Sequence, residues 1–383
     1  MKDTQFVYHQ LAVHLDHLPG GYPQTPSGVE NKILEKLFTV EEASLACHLT
    51  LLDEKAKVVA YRSGLPLNQV SEMLKQMAEK GLIFQTIEKD GSLVYMAAQF
   101  AVGMWEMQVG RLDEELVNLV GQYIPVLMDK EEWKQIPQLR TVPVEQSIET
   151  GLNVLPYENA RKLLQTKENF VVSPCICRKE KGIAGEACTK PVETCITFGT
   201  PEDYYVSSGS GRTATLEEVL DILVLAEKKG LVLQPNNGKD IKWICCCCGC
   251  CCAVLRTIKS FPKPVELTSS PFIVEMNSDE CDGCGLCIKR CQMDAFTVEG
   301  KAVVLNKDRC IGCGLCVSRC PNQCLTLVRK PDSEQPVVPK DIVKASIDTL
   351  RIRNKASYLD LGLMVLKSKK DRVLSSLFSA DKG

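Results

Sequence analysis

Apolar residues along the first hundred positions recur three and four apart and then two apart, which predicts a run of helices closed by a hairpin. Residues 1–28 carry Pro19, Gly20, Gly21, Pro23 and Pro26 and read as an extended arm. Val29 to Phe38 is a short amphipathic helix. Thr39 and Glu42 form a capping box before a second helix over Ala43 to Leu49. Asp53 caps a third helix through Tyr61, stopped by Ser63-Gly64. Val70, Met73, Leu74 and Met77 share one face of a fourth, Asn68 to Lys80, with Gly81 as its stop. Leu82 to Glu88 and Ser92 to Met96 then alternate around Asp90-Gly91.

Further along, Ala101 to Gln108 and Leu112 to Tyr123 read as helices, and residues 124–156 form a proline-rich connector containing Trp133. Pro156 starts a helix through Gln165. Phe170 to Val172 is a short strand. Thr215 and Glu218 box the start of a helix over Leu216 to Lys229, which Gly230 ends. Phe272 to Met276 and Leu325 to Val328 are strands flanking a hairpin over Ala295 to Leu305. Asp341 to Arg351 and Leu359 to Leu377 are helices, the latter carrying Lys367, Lys369, Lys370 and Arg372 and docking on the body or on a partner.

These elements predict an α+β multidomain chain. It comprises an N-terminal arm (1–28), a winged-helix-like domain (29–123), a Cys-rich middle domain (124–269), a dicluster ferredoxin domain (270–330) and a linker with a helical tail (331–383). Cysteine spacing carries the fourth assignment. Cys281, Cys284, Cys287 and Cys291, and then Cys310, Cys313, Cys316 and Cys320, each follow C-x2-C-x2-C-x3-C, the spacing of bacterial two-cluster ferredoxins. Thiolates separated by two intervening residues can wrap a cubane only where the chain coils tightly, and Gly283, Gly285, Gly312 and Gly314 permit that coil. The last cysteine of each run serves the other cluster. Cys281, Cys284, Cys287 and Cys320 therefore belong to one [4Fe-4S] cluster, and Cys310, Cys313, Cys316 and Cys291 to the second. Pro321 completes the motif in the second run, whereas the first has Gln292 there. Zinc sites use cysteine or histidine pairs separated by longer gaps, not a triplet plus one, twice over.

The middle cysteines are less orderly. Cys175, Cys177, Cys188 and Cys195 lie in a loop-like stretch with Pro174, Gly182, Gly185 and Pro191. Loops converge on one point more easily than regular elements, and Arg178, Lys179 and Lys181 would stabilise thiolates. A further iron–sulfur cluster and a structural zinc site with four cysteines both suit them. Then come Cys245-Cys246-Cys247-Cys248-Gly249-Cys250-Cys251-Cys252, a run that cannot all bind one metal. Read as a loop turning into helix near Gly249, it offers Cys245 and Cys248 to a site shared with the first group. A dithiol–disulfide relay is the non-metal reading.

Composition narrows the function classes. There are 21 cysteines and a formal net charge of −2 in 383 residues. In a reducing compartment such a count means metal or redox chemistry; in a secreted chain it would mean disulfides. No run approaches the roughly 18 apolar residues of a membrane span, and the amino-terminal stretch has no apolar signal core, so the expectation is a cytoplasmic protein. The winged-helix reading raises an alternative function, a redox-sensing transcription regulator. Its would-be recognition helix sets Lys75 and Lys80 against Glu72 and Glu79 and lacks the basic footprint of a DNA reader. Nothing resembles a flavin, nicotinamide or hydrolytic site. An electron carrier or oxidoreductase subunit, relaying single electrons to or from a partner oxidoreductase, is the main reading.

The chain also resembles a known group. Ser-Pro-Cys175-Ile-Cys177-Arg, Pro191-Val-Glu-Thr-Cys195, Ile-Cys245 through Cys252 and the carboxy-terminal double motif are together similar to a family of multidomain 4Fe-4S binding proteins of anaerobic bacteria, over about residues 5–330. That resemblance implies iron–sulfur electron transfer and names no substrate.

Overall fold

The period of the apolar residues sets the elements of the computed structural model, which describes residues 2–128, 130–199, 204–300 and 302–378. It is a mixed α and β protein with a helical C-terminal tail, built from one five-stranded and three two-stranded sheets among those residues. The chain divides into two units: Met1–Leu127 with Thr200–Ser210 and Ser346–Gly383, and Met128–Gly199 with Gly211–Ala345.

In the first unit the extended arm expected over residues 1–28 is largely a helix, α1 (Lys2–Asp16). Its prolines begin only at Pro19, and before them Tyr8, Leu11, Ala12 and Leu15 recur at helical spacing and are buried. α2 (Val29–Leu37) and α3 (Val40–Ala46) follow, with the Thr39–Glu42 capping box formed in both directions. α4 (Ala56–Ser63) starts later than Asp53 would have it. Glu54 pairs with Tyr95 through two backbone hydrogen bonds of 2.9 and 3.0 Å, which hold that stretch extended and defer the first helical turn. α5 (Leu67–Glu79) leads into the antiparallel hairpin of β1 (Ile83–Ile87) and β2 (Leu93–Ala97). The helix expected over Ala101 to Gln108 is broken. Ala101 and Val102 are extended, and helix resumes only at Trp105. α6 (Glu114–Leu127) runs through Pro125. The C-terminal helix Tyr358–Phe378 packs on α4, with Arg62 bridging Asp371 at 2.7 Å and Ser368 donating to Glu54 at 2.5 Å.

In the second unit the connector delivers β3 (Phe170–Pro174), α7 (Ile176–Ile183), β4 (Glu193–Thr197), β5 (Arg212–Ala214), α8 (Leu216–Lys228), β6 (Val232–Pro235), β7 (Trp243–Cys247) and α9 (Ala253–Ser260). The helix expected from Pro156 through Gln165 is split, a single 3-10 turn preceding a short helix, Ala160–Leu164. α8 has the expected capping box at Thr215 and Glu218, and Gly230 follows at φ +73°. The strands form one antiparallel sheet in the order β5-β3-β4-β7-β6. Val172, Ile196, Ile244 and Cys246 enter a core with Val219 and Leu223 of α8. β8 (Phe272–Met276) pairs with β11 (Leu325–Arg329), and β9 (Phe296–Glu299) with β10 (Ala302–Leu305), around a smaller core of Phe272, Val274, Phe296, Val303 and Leu325.

Two expectations about the middle cysteines are corrected. The loop-like stretch places Cys175 at the N-cap of α7 and Cys195 inside β4. The run Cys245 to Cys252 is strand as far as Cys247, then a turn, with Cys252 capping α9. The neighbouring apolar residues decide both outcomes: Ile244 and Ile196 lie opposite each other and are fully buried, which draws their cysteines into the sheet.

Candidate metal centres

The C-terminal double motif folds as two tight coils. Gly283, Gly285, Gly312 and Gly314 all have φ between 68° and 75°, the left-handed region that glycine occupies without strain. A Cβ at Gly312 would also run into the Phe272 carbonyl oxygen. In the second run Cys313 faces Cys291 and Cys310, and Cys316 faces Cys313, Cys310 and Cys291 and, more weakly, Cys287 of the first run. In the first run Cys287 faces Cys281 and Cys284. Cys320 lies 3.3 Å, sulfur to sulfur, from Cys324, which also contacts Cys281. Cys324 is buried and was not singled out in the sequence. The signal that could have found it is its place four residues after Cys320.

Burial pushes the thiols of Cys291, Cys310 and Cys316 up, and that of Cys313 up to about 12. Loading a metal there must therefore displace protons. Backbone amides already point at the sulfurs: Ala295 donates to Cys291 at 3.3 Å, Gly312 and Val274 to Cys310, and Leu315 to Cys313. All-thiolate donors, amide hydrogen bonds and glycine coils fit iron–sulfur clusters.

The middle cysteines separate into two sets. The sulfurs of Cys188, Cys248, Cys250 and Cys251 lie within 4.8 Å of one another. Cys250 is exposed, Cys188 half-buried, and Cys248 and Cys251 buried. Burial pushes Cys248 up to about 11 against the pull of Arg178. For Cys188 the Lys190 amide and the thiols of Cys251 and Cys250 outweigh burial and hold it down. A tetrahedral ion with bonds of ~2.3 Å spaces its thiolates roughly 3.8 Å apart, so this set suits a single ion.

The other set comes from the sheet and two helix starts. Alternation along β7 puts Cys245 and Cys247 on one face and Cys246 on the other. Cys195 lies directly opposite Cys245, with Ser173 and Gln234 on the same rung. Cys175 and Cys177 come from the start of α7, and Cys252 from the start of α9. Thiol contacts run from Cys195 to Cys245, Cys247, Cys252, Cys177 and Cys175 in turn. Hydrogen bonds from neighbouring thiols hold Cys245, Cys252 and Cys175 down, while their donors Cys195, Cys247 and Cys177 are pushed up.

Of the residues singled out in the sequence as one middle site, Cys175, Cys177, Cys195 and Cys245 thus fall in one set, and Cys188 and Cys248 in the other. Cys247, Cys250, Cys251 and Cys252 complete the sets. Only the fold tells these neighbours apart, because Cys247 ends a strand and Cys248 begins a turn. Gln292, which stands where the motif has proline, accepts a hydrogen bond from the Gly249 amide at 2.8 Å and so ties the double motif to the turn between Cys248 and Cys250.

Residues 274–327 match a family model described as a 4Fe-4S dicluster domain. No curated protein and no solved structure matches the chain. The double motif is thus an iron–sulfur binding region within a cysteine-rich chain, and among the described residues no helix is long and apolar enough to cross a membrane.

Proposed function

We propose that this protein relays single electrons to or from a partner oxidoreductase. Cys281, Cys284, Cys287 and Cys320 would hold one [4Fe-4S] cluster, and Cys310, Cys313, Cys316 and Cys291 the second. The observation that carries this reading is that Cys313 and Cys316 of the second run both face Cys291 of the first, as the exchange of fourth ligands in two-cluster ferredoxins would require. Such clusters supply one-electron carriage when bound. The chain's part is to hold the thiolates, direct amides at their sulfurs and bury the second set more deeply than the first. Cys188, Cys248, Cys250 and Cys251 add a cysteine-ligated metal site whose spacing suits a single ion.

α3, α5 and the β1–β2 hairpin are read as a winged-helix-like module that meets protein, not DNA. Lys80, which caps α5, is bound to Glu42 at 2.6 Å, and Lys75 within it reaches Glu79 at 4.0 Å, so carboxylates offset both cations. An anaerobic gel shift at low salt with random genomic DNA is expected to show no complex. The main test is iron, acid-labile sulfide and electron paramagnetic resonance of the dithionite-reduced full chain. Two cubanes require about eight irons and eight sulfides, and Cys313→Ala should remove about four of each. A folded, oxygen-free preparation without iron or sulfide defeats the reading.

A further inference from the structure

Cys175, Cys177, Cys195, Cys245, Cys247 and Cys252 have no part in the four-thiol site or in the double motif. We propose that they hold an iron–sulfur cluster of their own, a polynuclear centre set against the five-stranded sheet. This goes beyond the relay reading, because it concerns thiols that the dicluster segment does not use.

Number is the first reason. A tetrahedral ion takes four thiolates, and six are brought together here, from two adjacent strands and two helix starts. Cys195 and Cys245 occupy paired positions on neighbouring strands, so their side chains leave the sheet side by side. Cys247 follows two residues on, on the same face. Cys252 meets both Cys247 and Cys177, closing the string onto α7.

Donors facing the sulfurs are the second reason. The Arg178 amide points at Cys175, and the Val254 and Leu255 amides at Cys252, each from the first turn of an eight-residue helix. The Ser173 hydroxyl contacts Cys195. These are the groups that stabilise anionic sulfur in a cluster.

Charge is the third. Arg178 is 5% exposed, and its guanidinium donates to two neutral oxygens, the Thr194 hydroxyl at 2.5 Å and the Cys246 carbonyl at 2.8 Å. Its Nε is buried with no hydrogen-bond partner. A buried cation left with neutral partners is costly. Thiols offset its burial: Cys175 of this set first, then Cys248 of the four-thiol site, which it also contacts directly, and Cys247 of this set. One guanidinium cannot balance six thiolates, whereas the iron ions of a cluster supply the remaining positive charge. Soft thiolates of this kind select iron–sulfur, zinc or copper(I), and the same unit carries the dicluster segment.

The test uses the full chain, loaded anaerobically with ⁵⁷Fe, with iron, zinc and acid-labile sulfide counted per chain and Mössbauer spectra recorded. Sulfide clearly above the ~8 of two cubanes is expected. The double variant Cys247→Ala/Cys252→Ala should lose that excess sulfide together with its iron while the dicluster signal persists. Cys246→Val, on the opposite face of β7, should leave all sulfide in place. Wild-type sulfide at or below ~8 overturns the proposal without requiring any variant to fold. So does finding the six as zinc ligands, or as disulfides by differential alkylation. Loss of the dicluster signal from unmodified protein would instead overturn the relay reading, so the two failures read differently.

Discussion

The double motif and the cysteine-bearing sheet both gather thiols, by opposite means. In the double motif the chain itself does the gathering. Glycines at positive φ coil it so that cysteines three apart face one point, and on the proposed reading only Cys291 and Cys320 depend on a partner run. In the sheet, cysteines adjacent in sequence are sent apart. Cys245 and Cys247 leave one face, Cys246 the other, and Cys248 belongs to a turn. Local spacing is therefore a reliable guide to ligands in a coil and a poor one in a strand, where side chains alternate.

The largest effect should come from breaking the coil. Gly312→Val sets a β-branched side chain at φ +68° and against the Phe272 carbonyl. It should cost on the order of 3–5 kcal/mol and remove the cluster of Cys310. Gly300→Ala, at φ +64° with open space around it, isolates the backbone strain at about 1–2 kcal/mol. Denaturant unfolding and iron content read both, and equal costs for the two would show that the close approach to Phe272 does not matter.

Next comes the join between the regions. Arg309 donates to the carbonyls of Met293, Lys259 and Phe261 at 2.8–3.1 Å, clamping the start of the second cysteine run to the end of α9. Arg309→Leu should cost about 2–3 kcal/mol, seen as a lower unfolding midpoint. Gln292→Ala removes one contact to the Gly249 amide and should cost about 1 kcal/mol. An unchanged melting temperature in the latter would mean that water replaces the glutamine.

The smallest effect tests strand alternation. Cys246 is 1% exposed in the apolar core, so Cys246→Val should change stability by less than about 1.5 kcal/mol. It should leave iron, zinc and sulfide at wild-type levels. Loss of metal from this variant would show that the face assignment of β7 is wrong.

Much of this was legible in the order of residues. The capping boxes at Thr39 and Thr215, the β1–β2 hairpin, the strands at Phe272 and Leu325 and the double motif all rest on interactions within a few residues, which a linear reading can follow. α1 is less legible, because the helical spacing of Tyr8, Leu11 and Leu15 is followed within a few residues by Pro19, Gly20, Gly21, Pro23 and Pro26, which favour extended chain. The start of α4 was misplaced because its timing is set by Tyr95, some forty positions away.

Residue order settled that eight thiols of the double motif could converge, since the coil that joins them is short and glycine-permitted. Only the packed molecule divided the middle cysteines. Strand register, the burial of Ile196 and Ile244, and the starts of α7 and α9 bring together sulfurs up to 77 positions apart, from Cys175 to Cys252. Which neighbour a side chain meets across a sheet depends on pairings formed at long range, and a one-residue slip of β7 would turn Cys245 and Cys247 to the opposite face.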